Sequence, residues 1–193
     1  PNNPVAALTL AQLDGIVGAE GLRSATPVRR WSDAGVTGPL GPQPLAVYGT
    51  AVDGVPMLFV RRHVMKNSRK WNPSLKALDS DAAVIAAVAR HPAAIGIVRA
   101  GAMDRRVRSV PLSAKAGEAA TRPEREAIIG GRYPLARTLS LVVDRSHGKT
   151  LSPGTDAFIR FTLGADGQSI IANSGTHLPL SPADAARSLE KLQ

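Results

Sequence analysis

Apolar residues recur along this chain with two spacings, one typical of strands and one typical of helices. Short apolar runs predict buried strands at 45–48 and 94–98, and a partly exposed strand at 105–112. Helical spacing, with a polar cap or a Pro at the start, predicts helices at 10–17, 56–65, 80–90, 123–129, 153–163, 166–172 and 182–192. Strands that alternate with helices predict an α/β fold with a largely parallel sheet.

Composition places the chain among folded proteins and gives it a strong positive charge. Hydrophobic residues make up 44% of the 193 residues, and the net charge is +9. Such a field attracts phosphate, acidic ligands, nucleic acid or anionic lipid. Aromatic residues form only 4% of the chain, which disfavours specific single-strand binding through base stacking.

Several function classes find no support in the residues. Cysteine is absent, which excludes disulfides and thiol chemistry. No paired carboxylates or Ser/His/Asp arrangement indicates catalysis, so we expect no enzyme and no cofactor. The histidines lie far apart without metal-ligand spacing; they are His63, His91, His147 and His177.

The chain opens with polar turn residues, Pro1-Asn2-Asn3-Pro4. This opening lacks the basic and apolar segments of a secretory signal, so we expect a cytosolic protein or a processed chain. No apolar run approaches the roughly 20 residues that span a bilayer.

Three stretches resemble, in order and spacing, the phosphate-binding proteins of bacterial phosphate ABC transporters. The first runs from Asn3-Pro4-Val5 through Leu8-Thr9 and Gln12-Leu13-Asp14-Gly15-Ile16, with Trp31 downstream. The second is Ala94-Ile95-Gly96-Ile97-Val98. The third combines Tyr133-Pro134-Leu135-Ala136-Arg137-Thr138-Leu139 with Gly167-Gln168-Ser169-Ile170-Ile171 and Leu178-Pro179-Leu180.

The resemblance implies a two-lobed α/β fold of the periplasmic-binding-protein-like (type II) class, with the ligand in the cleft. It implies that residues 5–132 form most of the second lobe, 133–143 a hinge strand, and 144–193 helices that pack on the first lobe. The family has a further segment upstream of the Asn-Pro motif, so we expect an incomplete first lobe. The resemblance also implies a periplasmic or extracytoplasmic location and an ABC transporter permease as a partner.

The family's anion site maps onto the segment between the first long strand and the helix after it. There the family has an Arg a few residues before a Ser-Gly-Thr turn, and this turn donates hydrogen bonds at a helix N-terminus. In this chain Thr50 stands where the Arg belongs, and Gly54-Val55-Pro56 replaces Ser-Gly-Thr. By resemblance, the ligand-binding candidates are Thr50, Asp53, Gly54, Val55 and Met57.

Three hypotheses about function stay open at this point. The first is a solute-binding protein for phosphate or a related oxyanion, linked to ABC-type uptake or sensing. The second is a degenerate domain of the same fold that serves as a non-catalytic interaction or scaffold module, because the Arg and the hydroxyls are missing. The third is a binder of nucleic acid or an anionic surface through charge alone, with a steep salt dependence. No specific nucleic-acid partner is expected.

Overall fold

The computed structural model describes residues 3–23, 26–145, 149–175 and 177–192. The chain divides into two compact units, residues 1–135 and 136–193. In the first unit the strands are β1 (Leu8–Thr9), β2 (Ala46–Gly49), β3 (Leu75–Ala77), β4 (Ala94–Gly96) and β5 (Leu112–Ser113). Its helices are α1 (Leu10–Val17), α2 (Val55–His63), α3 (Asp81–Arg90) and α4 (Arg125–Ile129).

A three-stranded parallel sheet with the order β3-β2-β4 forms the centre of the first unit. The chain leaves β2 through α2 to reach β3, and then crosses β2 through α3 to reach β4. Right-handed crossovers that run in opposite directions place their helices on opposite faces of a sheet. Two glycines of the sheet confirm that each face is covered by a different helix. A Cβ at Gly49 would meet Met57 of α2, whereas a Cβ at Gly96 would meet Val84 of α3.

A second, two-stranded parallel sheet joins β1 to β5 and connects to the same core. The core contains Ile16, Val47, Val60 and Met65, each at most 4% exposed. Trp31 is 1% exposed, and its indole Nε1 donates to the carbonyl of Ala93 at 3.0 Å. This bond links two segments that are far apart in sequence and satisfies a polar group inside the core.

The described residues of the second unit form the helices α5 (Pro153–Leu163), α6 (Ala165–Asn173) and α7 (Pro182–Glu190). Ser152 caps α5 and Ser181 caps α7, each accepting a hydrogen bond from a backbone N–H in the first turn. The Gln168 side chain donates to the carbonyl of Thr162 at 2.8 Å and accepts from the N–H of Leu180 at 2.7 Å. A single amide therefore holds α6 to the end of α5 and to the segment before α7.

Most predicted elements are confirmed, and their caps explain why. Thr9 begins α1 with a reciprocal capping box to Gln12, and Ser80 begins α3. The predicted strand at 105–112 is wrong over most of its length, because strand β5 comprises only Leu112–Ser113. The Asp104 carboxylate accepts from the backbone and side chain of Arg106, which closes a local turn there. Residues 136–145 lie outside any strand, and the hinge at 133–143 stays a prediction.

Among the described residues, no helix combines the length and the apolar character required to cross a bilayer.

Candidate functional site

Strand β2 delivers Thr50 to the carboxyl edge of the three-stranded sheet. Thr50 is half-buried and directly follows Gly49, the last residue of β2. Its hydroxyl Oγ1 is shielded from solvent and makes no hydrogen bond. A buried hydroxyl without a partner is costly and uncommon in folded proteins. This orphaned group stands at the position that the sequence assigns to the ligand.

The turn after Thr50 leads into the N-terminus of α2. The N–H of Gly54 donates to the carbonyl of Ala51 at 2.8 Å, and Gly54 then serves as the N-cap of α2. Gly54 provides no side-chain cap, and Pro56, in the first turn, has no N–H to donate. Val55 is 59% exposed. The donors that this turn offers to an anion are therefore the backbone N–H groups of Val55 and Met57, aided by the positive end of the helix dipole.

The two other candidates have contrasting environments. Asp53 is exposed in the turn, where a carboxylate near the helix start repels an incoming anion. Met57 is completely buried, and its Cε lies 2.9 Å from the position that a Cβ on Gly49 would take. The Met57 side chain therefore packs between α2 and β2, and only its backbone N–H is available for a ligand.

Sequence reasoning missed one charged residue at this edge, Arg99. Tyr48 of β2 is in register with Gly96 of β4, so Thr50 and Arg99 both lie just beyond the carboxyl ends of neighbouring strands. The Arg99 Nε donates to the Asp81 carboxylate at 2.6 Å, and the two side chains are 72% and 6% exposed. Arg99 directly follows the predicted strand 94–98, and that position at a strand end was the signal that could have identified it.

The arrangement matches the general location of ligand sites in open α/β sheets. Such sites lie outside the carboxyl ends of the strands, at the point where the chain switches from one side of the sheet to the other. Here that point lies between β2 and β4, because the chain leaves β2 for β3, which lies on the side of β2 away from β4. A separate hollow of about 220 Å³ is lined by residues 4–7 and 34–37 and includes no candidate residue.

The structure offers no alternative metal chemistry in the part of the chain that it describes. No three His, Cys, Asp or Glu side chains among those residues are grouped so that they could hold a metal ion. His147 lies outside the described residues.

Comparison with known proteins gives the context of this site. Residues 1–166 match the model of the PBP superfamily domain. The chain is 28% identical over 193 residues to the phosphate-binding protein PstS of Pseudomonas aeruginosa, an alignment that covers 99% of this chain and 59% of that protein. The chain thus spans about 59% of the length of the curated relatives that it matches.

Solved structures show the same fold at lower sequence identity. An ABC-type phosphate transport receptor from Vibrio cholerae aligns with a TM-score of 0.68 and 19% identity, covering 92% of this chain and 66% of the other. PstS from Borrelia burgdorferi aligns with a TM-score of 0.71 and 16% identity, covering 94% and 66%. These likenesses show the fold, and the match of residues 1–166 to the family model shows that the chain belongs to the PBP superfamily.

Proposed function

We propose that this chain is the larger part of an extracytoplasmic solute-binding protein for phosphate or a related oxyanion, linked to ABC-type uptake or sensing. The observation that carries the proposal is the Thr50 hydroxyl, buried and without a partner at the carboxyl edge of the sheet. The relatives named as phosphate-binding proteins support the ligand class. In this role the protein binds and releases its ligand without catalysis, and residues 133–143 serve as the hinge between lobes.

The proposed ligand contacts come from three sources. The N–H groups of Val55 and Met57 donate from the start of α2, as helix N-termini do for phosphate and sulfate. The Thr50 hydroxyl donates one further hydrogen bond. Arg99 contributes a positive charge from the neighbouring strand end, since only its Nε is engaged with Asp81. We propose that this guanidinium partly replaces the one that the family carries at position 50.

The altered motif implies weaker binding than in relatives that keep the Arg and the Ser-Gly-Thr turn. A hydrogen bond to a charged group contributes about 1.5–3 kcal/mol. Loss of two such bonds therefore weakens affinity by about two to four orders of magnitude. The proposed site accordingly binds phosphate more weakly than the sites of those relatives do.

A second candidate function follows from the same turn. Gly54 supplies no hydroxyl, Pro56 supplies no N–H, and Asp53 adds a negative charge. These features favour a degenerate domain of the fold that no longer binds an oxyanion and acts as an interaction module. Its partner would be a protein, such as a transporter permease or another polypeptide.

Calorimetric titration with phosphate and then sulfate, at low and at moderate salt, separates the two candidates. The oxyanion proposal predicts saturable one-to-one binding that persists at moderate salt and is weakened by Thr50→Val. The control is Thr162→Val, the same chemical change at a position in α5 that is far in sequence from the site residues. Absence of heat with both anions would favour the interaction module, or an incomplete first lobe, over oxyanion binding by this chain.

A further inference from the structure

Basic side chains are concentrated in the last turn of helix α2 and in the loop that follows it. Residues 61–70, which we call the basic turn, contain five Lys or Arg and no Asp or Glu; the five are Arg61, Arg62, Lys66, Arg69 and Lys70. All but Arg61, which is half-buried, are exposed. The turn lies at the C-terminal end of α2, whereas the oxyanion candidates lie at its N-terminal end.

Neighbouring acids do not neutralise this charge. Glu20 pairs with Lys70 at 2.9 Å, and a hydrogen bond from Ser68 is the main reason that the pKa of Glu20 lies below its usual range. Arg62, Lys66 and Arg69 have no ion-pair partner among the described residues. Three cations of the turn are therefore available to an external partner.

The requirements of the helix end do not explain the charge either. Cations near a helix C-terminus commonly compensate its dipole and its free carbonyls. Here Arg23, from another segment, already does so, donating to the carbonyls of His63 at 2.9 Å and Val64 at 2.7 Å. The cations beyond residue 63 are not needed for that purpose.

Lys66 has a backbone conformation in which glycine would be less strained. Lys66 and Asn67 have φ values of +48° and +66°, in the left-handed region that glycine adopts at little cost. Val64 and Met65, both fully buried, fix the turn to the core. The fold thus places Lys66 at the surface in a backbone conformation that is costly for a residue other than glycine.

An exposed aliphatic residue directly precedes Arg23, the cation that contacts the basic turn. Leu22 is 45% exposed, and its neighbour Arg23 contacts the backbone of the turn directly. Cations next to an aliphatic side chain suit the boundary between anionic headgroups and acyl chains. Nucleic acid fits less well, because Leu22 offers no stacking surface for a base.

We infer that the basic turn, with Leu22, docks this protein on an anionic lipid surface. The contact is electrostatic and reversible, and it leaves the carboxyl edge of the sheet free. Each Lys or Arg near such a surface strengthens partitioning about five-fold at moderate salt. Removal of Arg62, Lys66 and Arg69 together should therefore weaken it on the order of a hundred-fold.

The test is co-sedimentation of the 193-residue chain with phosphatidylcholine vesicles that contain or lack phosphatidylglycerol. We expect sedimentation only with phosphatidylglycerol, and loss of it at high salt. The triple variant R62Q/K66Q/R69Q should lose most binding. The control variant R105Q/R122Q/R125Q removes the same charge elsewhere and should change binding only a few-fold; circular dichroism checks that both variants fold.

A single substitution gives an independent readout. Lys66→Gly removes a cation and relieves the left-handed backbone, so we expect a higher melting temperature together with about five-fold weaker vesicle binding. Equal losses in the two triple variants would overturn the inference, as would equal binding to vesicles without phosphatidylglycerol. Retention on duplex DNA without sedimentation on the anionic vesicles would assign the turn to nucleic acid and also overturn it.

Discussion

The substitution Thr50→Val separates the function of this hydroxyl from its effect on folding. Valine has nearly the shape of threonine, so the packing around the end of β2 is kept while Oγ1 is removed. In the structure Oγ1 is shielded from solvent and has no partner. The free protein therefore carries the cost of desolvating a hydroxyl that gains nothing in return.

The magnitude of the change follows from that cost. A buried polar group without a partner costs about 1–3 kcal/mol, so Thr50→Val should raise the free energy of unfolding of the ligand-free protein by about 1 kcal/mol or more. The same change removes one donor to a bound oxyanion. Loss of a hydrogen bond to a charged group should weaken phosphate binding about ten-fold or more.

Urea unfolding and calorimetry measure the two effects separately. Unfolding can be followed by tryptophan fluorescence, because Trp31 is fully buried in the core. The predicted result is a higher unfolding midpoint in the absence of ligand and a higher dissociation constant for phosphate. A lower unfolding midpoint for Thr50→Val would show that the hydroxyl has a hydrogen-bond partner in the free protein and would contradict this prediction.

Two further predictions concern stability. Burial raises the pKa of Tyr133 from 10.0 to about 12, so the unfolded chain loses this proton first. The free energy of unfolding should therefore fall by about 2 kcal/mol as pH rises from 10 to 12. Denaturation across this range should show a smaller fall for Tyr133→Phe, and an unchanged fall would contradict the assignment. Gly96→Ala would place a Cβ 2.7 Å from Val84 and 2.8 Å from Val88, so it should destabilise the first unit by about 1–3 kcal/mol. The control Gly154→Ala, which meets open space in α5, should be neutral or stabilising in thermal melts; equal losses in the two variants would argue against the close packing of α3 on β4.

The elements that the sequence predicted well are those with local start and stop signals. Helix α5 has the predicted bounds of 153–163, because Ser152 and Pro153 define its start and Gly164 its end. Helix α3 likewise begins after the cap Ser80 and stops at His91. These signals lie within the chain segment itself and do not depend on the rest of the fold.

The elements that the sequence missed depend on distant partners. Strand β3 was not predicted, since Lys76 and Ala77 are exposed and no apolar run marks it; it exists because it pairs with β2. Dependence on strands that are distant in sequence also explains why the sequence did not indicate the whole candidate site. The resemblance pointed to Thr50, whereas Arg99 became a candidate only because the register of β2 and β4 brings two strand ends to one edge of the sheet.

The most direct test of the oxyanion site is to restore the family's motif and measure phosphate binding by calorimetry. The variant Thr50→Arg, Gly54→Ser, Val55→Gly, Pro56→Thr exchanges the Thr50 hydroxyl for a guanidinium and adds two hydroxyls and one backbone N–H at the start of α2. We expect saturable binding in the unmodified chain and an affinity at least about a hundred-fold higher in the folded variant. An equal or lower affinity in a variant that unfolds as cooperatively as the unmodified chain would contradict the placement of an oxyanion site at this edge of the sheet.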